Sequence, residues 1–424
     1  MSAVEMLRAK TRALHERLEA HSYVRALLDG GLPLAAYAGL LRAVLVVHDT
    51  AERLLLANTT LELQELLPDV RARREGLERD IAHLRERPDR VDAAALQAEL
   101  FAQRLRLYSR DDSAVLAGFF YVLEGSALGS KEQLAHLRDR KELAHGGLEY
   151  LTLGAGAAHG FARFLGRLGD VLSTPEKLDA AERGACVTFD AFEAIFTALM
   201  ADPDRRVDAT YLNGDAGQHR IPDDLREVAA ALRAGEQTYR KYGYYEARYG
   251  ERGMRFTRSD SAWLASLVAR ETAVVVEEIR WLANVLAHRG MPRYLLEDHL
   301  GALADELCTS VPERRHSYEK LLRARDQLRS ERHAHLDEAS FRALARELDD
   351  SLSPELTERL RNVGVLPVAA VIDEASGIQK AVPNLEPWLT SSERFPEQFV
   401  ESVHKAFAAA RKALRSQQSA AETA

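Results

Sequence analysis

Position 15 is a histidine, followed four residues later by Glu19, in the string LRAKTRALHERLE. Residues four apart share one face of a helix. The carboxylate therefore sits where it can orient the imidazole and fix its tautomer, as the supporting partners of metal-ligating histidines do. Arg8 lies two turns earlier, close to the same face, and Thr11 lies between them. Taken alone, a helical histidine is more often a surface or core residue than a ligand. A second string, FFYVLEGSALGSKEQLAHL, places Gly125 and Gly129 at i and i+4 of an otherwise apolar helix. Interior glycines cost about 1 kcal/mol each relative to alanine. They expose backbone and let a flat partner approach closely. Close packing of a second helix is the alternative use of the same pair.

The elements that must position these residues read as helices. Apolar side chains recur at helical spacing through 4–28, and Asp29-Gly30-Gly31 ends the run before Pro33. Further helices are expected at 34–56, 68–86, 93–107 and 114–137, the last capped by Asp111-Asp112-Ser113. Gly154-Ala155-Gly156 marks a loop, and 161–172 reads as helix. Thr174-Pro175-Glu176 combines a capping hydroxyl with proline at the first helical position, and that helix runs to about Met200. The segment 202–224, with two prolines and Asn213-Gly214-Asp215, reads as a linker. Beyond it, helices at 263–267, 274–286 and 295–307 should form a second core, with Thr257-x-x-Asp260 as a capping box before the first. Residues 368–372 suit a short extended stretch. A last helix at 396–416 precedes a polar, disordered tail. The expected class is all-α. The expected domains are 1–201, a linker at 202–224, a helical domain at 225–360 and a mixed C-terminal segment at 361–424.

The 424 residues are 46% hydrophobic and 29% charged, with a net charge of −8. That mildly acidic balance argues against nucleic-acid binding. Cys186 and Cys308 stand far apart and outside any metal-binding spacing, as expected of reduced thiols in a cytoplasmic protein. The N-terminus lacks the apolar core of a signal peptide, and the longest apolar runs are too short to span a bilayer. No membrane partner is expected. Glu313-x-x-His316 with Glu319, His333 near His335, and Glu142-x-x-His145 have the spacing of di-iron ligands in helix bundles, but charged flanks favour solvated faces. His48 and Glu52, one turn apart, read as a polar patch. The run 239–249, with five tyrosines among basic residues, suits either stacking on a flat ligand or the cap of a helical core.

The two glycine- and histidine-bearing strings together resemble the heme oxygenases, particularly the bacterial type that supplies bilins. The resemblance covers about residues 4–200. It implies a helical fold with His15 as axial ligand to heme iron and Glu19 one turn later. It also implies Arg8 at the propionates, and Gly125 and Gly129 on a kinked distal helix over the porphyrin. Thr11 lies between the first of these groups. Arg163 and Arg167 are the candidates for further propionate contacts. Ser126 stands where many members carry an aspartate that organises water, and Phe120 where a tyrosine often stands. Gly125, Ser126 and Gly129 thus form the expected catalytic face. The implied reaction cleaves heme, both substrate and cofactor, to biliverdin, carbon monoxide and ferrous iron. Its electrons come from an external donor such as a ferredoxin, a flavodoxin or a reductase, and a bilin-accepting protein is a possible partner. A non-catalytic heme- or bilin-binding protein and a di-iron oxidase are the alternative readings.

Overall fold

Ser2 and Glu5 exchange reciprocal side-chain-to-backbone hydrogen bonds of 3.2 and 2.7 Å, a capping box that starts helix α1 (Ala3–Glu19). In this computed structural model, described for residues 2–57, 61–156, 158–201 and 207–423, almost everything that follows is helical. Among the described residues there is no strand, only an isolated bridge between Arg90 and Asp224. The chain divides into two compact units, Met1–Val207 with Asp223–Leu225 and Asp208–Pro222 with Arg226–Ala424.

In the first unit the apolar run 4–28 breaks at His21, whose ring accepts the Tyr23 amide and caps α2 (Ser22–Leu28). There follow α3 (Leu34–Ala57), α4 (Leu67–His83), α5 (Ala93–Asp111) and α6 (Val115–Ser126). The expected single helix over 114–137 is interrupted. A 3₁₀ turn, Ala127–Gly129, separates α6 from α7 (Ser130–Leu137). The turn falls between the two glycines, where helix propensity is weakest. Then come α8 (Glu149–Gly156), α9 (Ala158–Val171) and α10 (Pro175–Leu199), the last capped by Thr174 as expected.

α6 lies directly on α10, and glycines set the spacing. A Cβ at Gly118 would fall on the Ala181 carbonyl, and one at Gly184 on the Val115 carbonyl. Around that crossing Phe119 and Phe120 are fully buried, each contributing about 1.5–3 kcal/mol of apolar burial. α3 has the length and composition to cross a membrane, but its most apolar window is 78% buried inside this core. It is a central core helix here, longer than the short apolar runs suggest.

The start of the expected linker, 202–206, lies outside the described residues. From Asp208 the chain is ordered by its own turns, and Ala209, Leu212 and Ile221 are buried in the second unit. That unit contains α11 (Leu225–Lys241), α12 (Gly243–Leu267), α13 (Thr272–His288), α14 (Arg293–Ser310), α15 (Arg315–His333), α16 (Glu338–Asp349), α17 (Val365–Ala375) and α18 (Glu397–Thr423). Thr257 is no cap. It lies inside α12 and donates its hydroxyl to the Gly253 carbonyl at 3.0 Å, and the helix is broken earlier, at Gly250 with φ 51°. The stretch expected to be extended is helical. Val368 to Ile372 are all buried on α17, and an apolar run of five suits a fully buried helix as well as a strand. The tail stays helical as far as Thr423. One hydrophobic cluster joins Tyr242, Tyr294 and Phe341 to Ile372, Phe399 and Phe407, so residues on both sides of 360 share a core. The tyrosine-rich run caps it. Tyr244 donates to the Gly290 carbonyl at 2.5 Å and Tyr239 to that of Gly250 at 2.6 Å.

Candidate functional site

α1 buries Leu7 and Thr11, and Leu14 and Leu18 pack against the same core. Stepping on by one residue from each, about 100° around the helix, gives Arg8, Arg12, His15 and Glu19 at spacings of four, three and four. All four are exposed. The His15 Nδ1 lies 3.5 Å from Glu19 Oε2, with the two side chains 60% and 65% exposed. The ring stands edge-on to Phe189 of α10 at 6.1 Å. Nε2 has no partner among the described residues. Nor do the Arg8 and Arg12 guanidinium groups enter any ion pair there. The cations beside them are engaged: Lys10 holds Asp179 and Glu182, and Arg17 holds Asp190 and Glu193. These pairs clamp α1 along α10 and leave the His15 face open. Thr11 is spent elsewhere, buried with its hydroxyl donated to the Leu7 carbonyl at 2.9 Å.

On α6, Gly125 is half-buried, and a Cβ there would meet the Phe161 ring at 3.6 Å. Phe161 belongs to α9, which packs against both α1 and α6. Ser126 is exposed and donates its hydroxyl to the Leu123 carbonyl at 2.7 Å. Gly129, at the end of the 3₁₀ turn, faces the flexible end of Gln133. Arg163 and Arg167 are exposed on α9, and Arg167 is ion-paired with Glu65.

Glu124 turns the other way, into the interior, where it is ion-paired with Arg73 of α4 and both side chains are almost fully buried. Burial raises the Glu124 carboxyl and the Arg73 charge offsets part of that shift. His48 of α3 is completely buried nearby, its ring edge-on to Tyr150 at 5.5 Å. Neither ring nitrogen has a hydrogen-bond partner. Burial, and then the Arg73 charge, hold its pKa well below the ordinary histidine value. Leaving such a group unpaired costs about 1–3 kcal/mol. Glu52 is not part of one patch with it. It faces Arg71 and Arg74, at 2.6 Å from each. Asp80 caps α8 by accepting the Glu149 and Tyr150 amides at 2.9 and 2.8 Å, which fixes Tyr150 against His48.

Residues 1–198 match the heme oxygenase family model. Over that stretch, a little under half of the chain, it is similar to the heme oxygenases. The match ends before the second unit. No curated protein and no solved structure matches the chain. The first unit is helical, as that family is, and the family it resembles binds heme.

Reading the sequence missed Arg12 and Phe161 at this site and the buried Arg73, and it took His48 for part of a polar patch with Glu52. Arg12 was available as the missing position in the Arg8–His15 face. Phe161 lies on a helix far from Arg12 in sequence, and no local spacing announces it. The carboxylate–histidine pairs weighed as metal ligands do not assemble. His316 is 94% exposed beside Glu319, and His333 pairs with Glu338 at 3.1 Å. Among the described residues no group of three or more His, Cys, Asp or Glu side chains is gathered for a metal ion.

Proposed function

We propose that the first unit binds heme against the exposed face of α1, with His15 Nε2 as axial ligand to the iron, and oxidises it to biliverdin, carbon monoxide and ferrous iron. The observation that carries this reading is the donor set. An imidazole with a free Nε2 has a carboxylate behind its other nitrogen and two guanidinium groups without ion-pair partners on the same face. That chemistry fits an iron porphyrin with anionic propionates. Glu19 holds the tautomer and ring orientation, Phe189 limits the ring's rotation, and Arg8 and Arg12 neutralise propionates. Phe161 and the bare backbone at Gly125 and Gly129 supply a close, apolar opposite wall that excludes water. Iron and porphyrin supply the oxygen chemistry, and the electrons come from an external donor.

A titration of the purified chain with hemin, followed by addition of a reductant, tests this. A Soret band that gives way to a biliverdin spectrum is expected, and absence of any band overturns the reading. The hydroxyl of Ser126, engaged by Leu123, favours a second reading on the same site, a heme-binding protein without turnover. A band that persists after reduction in air selects that one.

A further inference from the structure

The second unit holds a cleft of about 440 Å³, lined by the last turns of α13 and α15, the residues just after α17 and the first residue of α14. That first residue is Arg293, only 8% exposed. Two acids fix its guanidinium. Asp373 of α17 accepts the Arg293 amide at 2.8 Å and its Nε at 2.7 Å, and Glu331 of α15 accepts Nη1 at 2.8 Å. Nη2 has no partner among the described residues and is accessible on the cleft side. An arginine fork held in this way presents adjoining N–H groups in the geometry that an oxyanion takes bidentately.

The other lining groups add donors. Arg280 of α13 meets Glu331 through Nε at 3.3 Å, and its terminal nitrogens have no partner among the described residues. Asn284 makes no side-chain hydrogen bond there, and its Oδ1 is buried without one. Nothing therefore fixes which end of that amide faces the cleft. His335, half-buried, makes none either. The acceptors, in contrast, are already met. Glu331 is the only carboxylate lining the cleft, and it takes Arg280, Arg293 and Gln327. His288 Nδ1 lies 2.7 Å from the Asn284 carbonyl, and Ser376 donates to the Ile372 carbonyl at 2.8 Å. A cation finds no free carboxylate here, whereas an anion finds two arginines. The volume exceeds that of a bare ion and falls in the range of small-molecule sites.

We propose that this cleft binds a small molecule bearing a phosphate or carboxylate group, with Arg293 and Arg280 on the oxyanion and Asn284 and His335 on the ligand's other polar atoms. The site lies wholly within the second unit and stands or falls independently of heme binding by the first.

The full chain is titrated calorimetrically with inorganic phosphate and, separately, with malonate, in a chloride buffer of low ionic strength. At least one of the two should saturate a site with a Kd of about 1 mM or tighter. Arg293→Ala is a poor probe, because it strips the buried Asp373 of its partner. Arg280→Gln and Asn284→Ala disturb little else. Each should keep the ligand-free thermal midpoint within about 2 °C of wild type and weaken binding about fivefold or more. If one of them melts early, His335→Gln takes its place with the same forecast. Tighter phosphate marks the ligand as a phosphate ester and tighter malonate as a carboxylate, and both support the site. No saturation by either probe at about 20 mM overturns it. So does binding that both variants leave within about twofold of wild type, which would put the anion elsewhere, as on Arg8 and Arg12.

Discussion

Arg73 and Glu124 are ion-paired in the interior of the first unit, Glu124 standing one residue before Gly125. A buried pair of this kind is cheap to replace as a whole and costly to break. Glu124→Ala should destabilise the first unit by about 3–5 kcal/mol by leaving the guanidinium uncompensated. The double variant Arg73→Met, Glu124→Leu should recover most of that loss. Urea unfolding of the three proteins checks both statements.

His15 is different in kind because most of its surface is exposed. His15→Ala should change stability by no more than about 0.5 kcal/mol. It should abolish the wild-type ferric heme spectrum. An unchanged spectrum, with an unchanged response to added imidazole, excludes His15 as the ligand.

The glycines of α6 should separate into two classes. Gly118→Ala places a methyl on the Ala181 carbonyl, and should destabilise by about 1–3 kcal/mol or more through overpacking. Gly125→Ala meets Phe161 at an ordinary 3.6 Å. It should be neutral, or stabilising by up to about 1 kcal/mol from helix propensity. Gly125→Leu should displace Phe161 and lower hemin affinity with little loss of stability. Thermal midpoints without heme, set beside hemin titrations, distinguish the classes.

In the second unit His299 is buried between Thr238 and Ser261, at 3.0 and 3.1 Å, and burial pushes its pKa down to about 4. The unfolded chain therefore binds its proton first. Stability is full above about 6.5, the ordinary histidine value, and is lost as pH falls from there towards about 4. Asp260, which burial pushes up to about 6, acts in the opposite direction as pH falls below that value. The informative quantity is thus the difference between proteins. His299→Gln should flatten the acid side of the stability curve between pH 6.5 and 4 relative to wild type. A parallel pair of curves would exclude His299 as the source.

Much of this was legible in the sequence where local rules decide. Thr174-Pro175 starts α10, and the His15–Glu19 spacing delivers a real side-chain pair. Core helices at 263–267, 274–286 and 295–307 fall within α12, α13 and α14. Reading failed where tertiary burial decides. The run at 368–372 has no periodicity because every face of α17 is covered there. His48 looked like surface because Glu52, one turn on, is charged, yet the two point to different neighbours. Gly125 and Gly129 drew attention through their spacing, whereas the tightest backbone contacts of the first unit are made by Gly118 and Gly184, which lie sixty-six positions apart.

That crossing of α6 and α10 has a kinetic consequence. With carbonyl against Cα on both helices, α6 can neither roll nor slide without backbone collision. If heme binds as proposed, α6 should present it with a stiff wall. Admission should then depend on Phe161 of α9, whose ring a Cβ at Gly125 would meet at 3.6 Å. The uptake rate should track how readily Phe161 swings aside, and the residence time how well it returns.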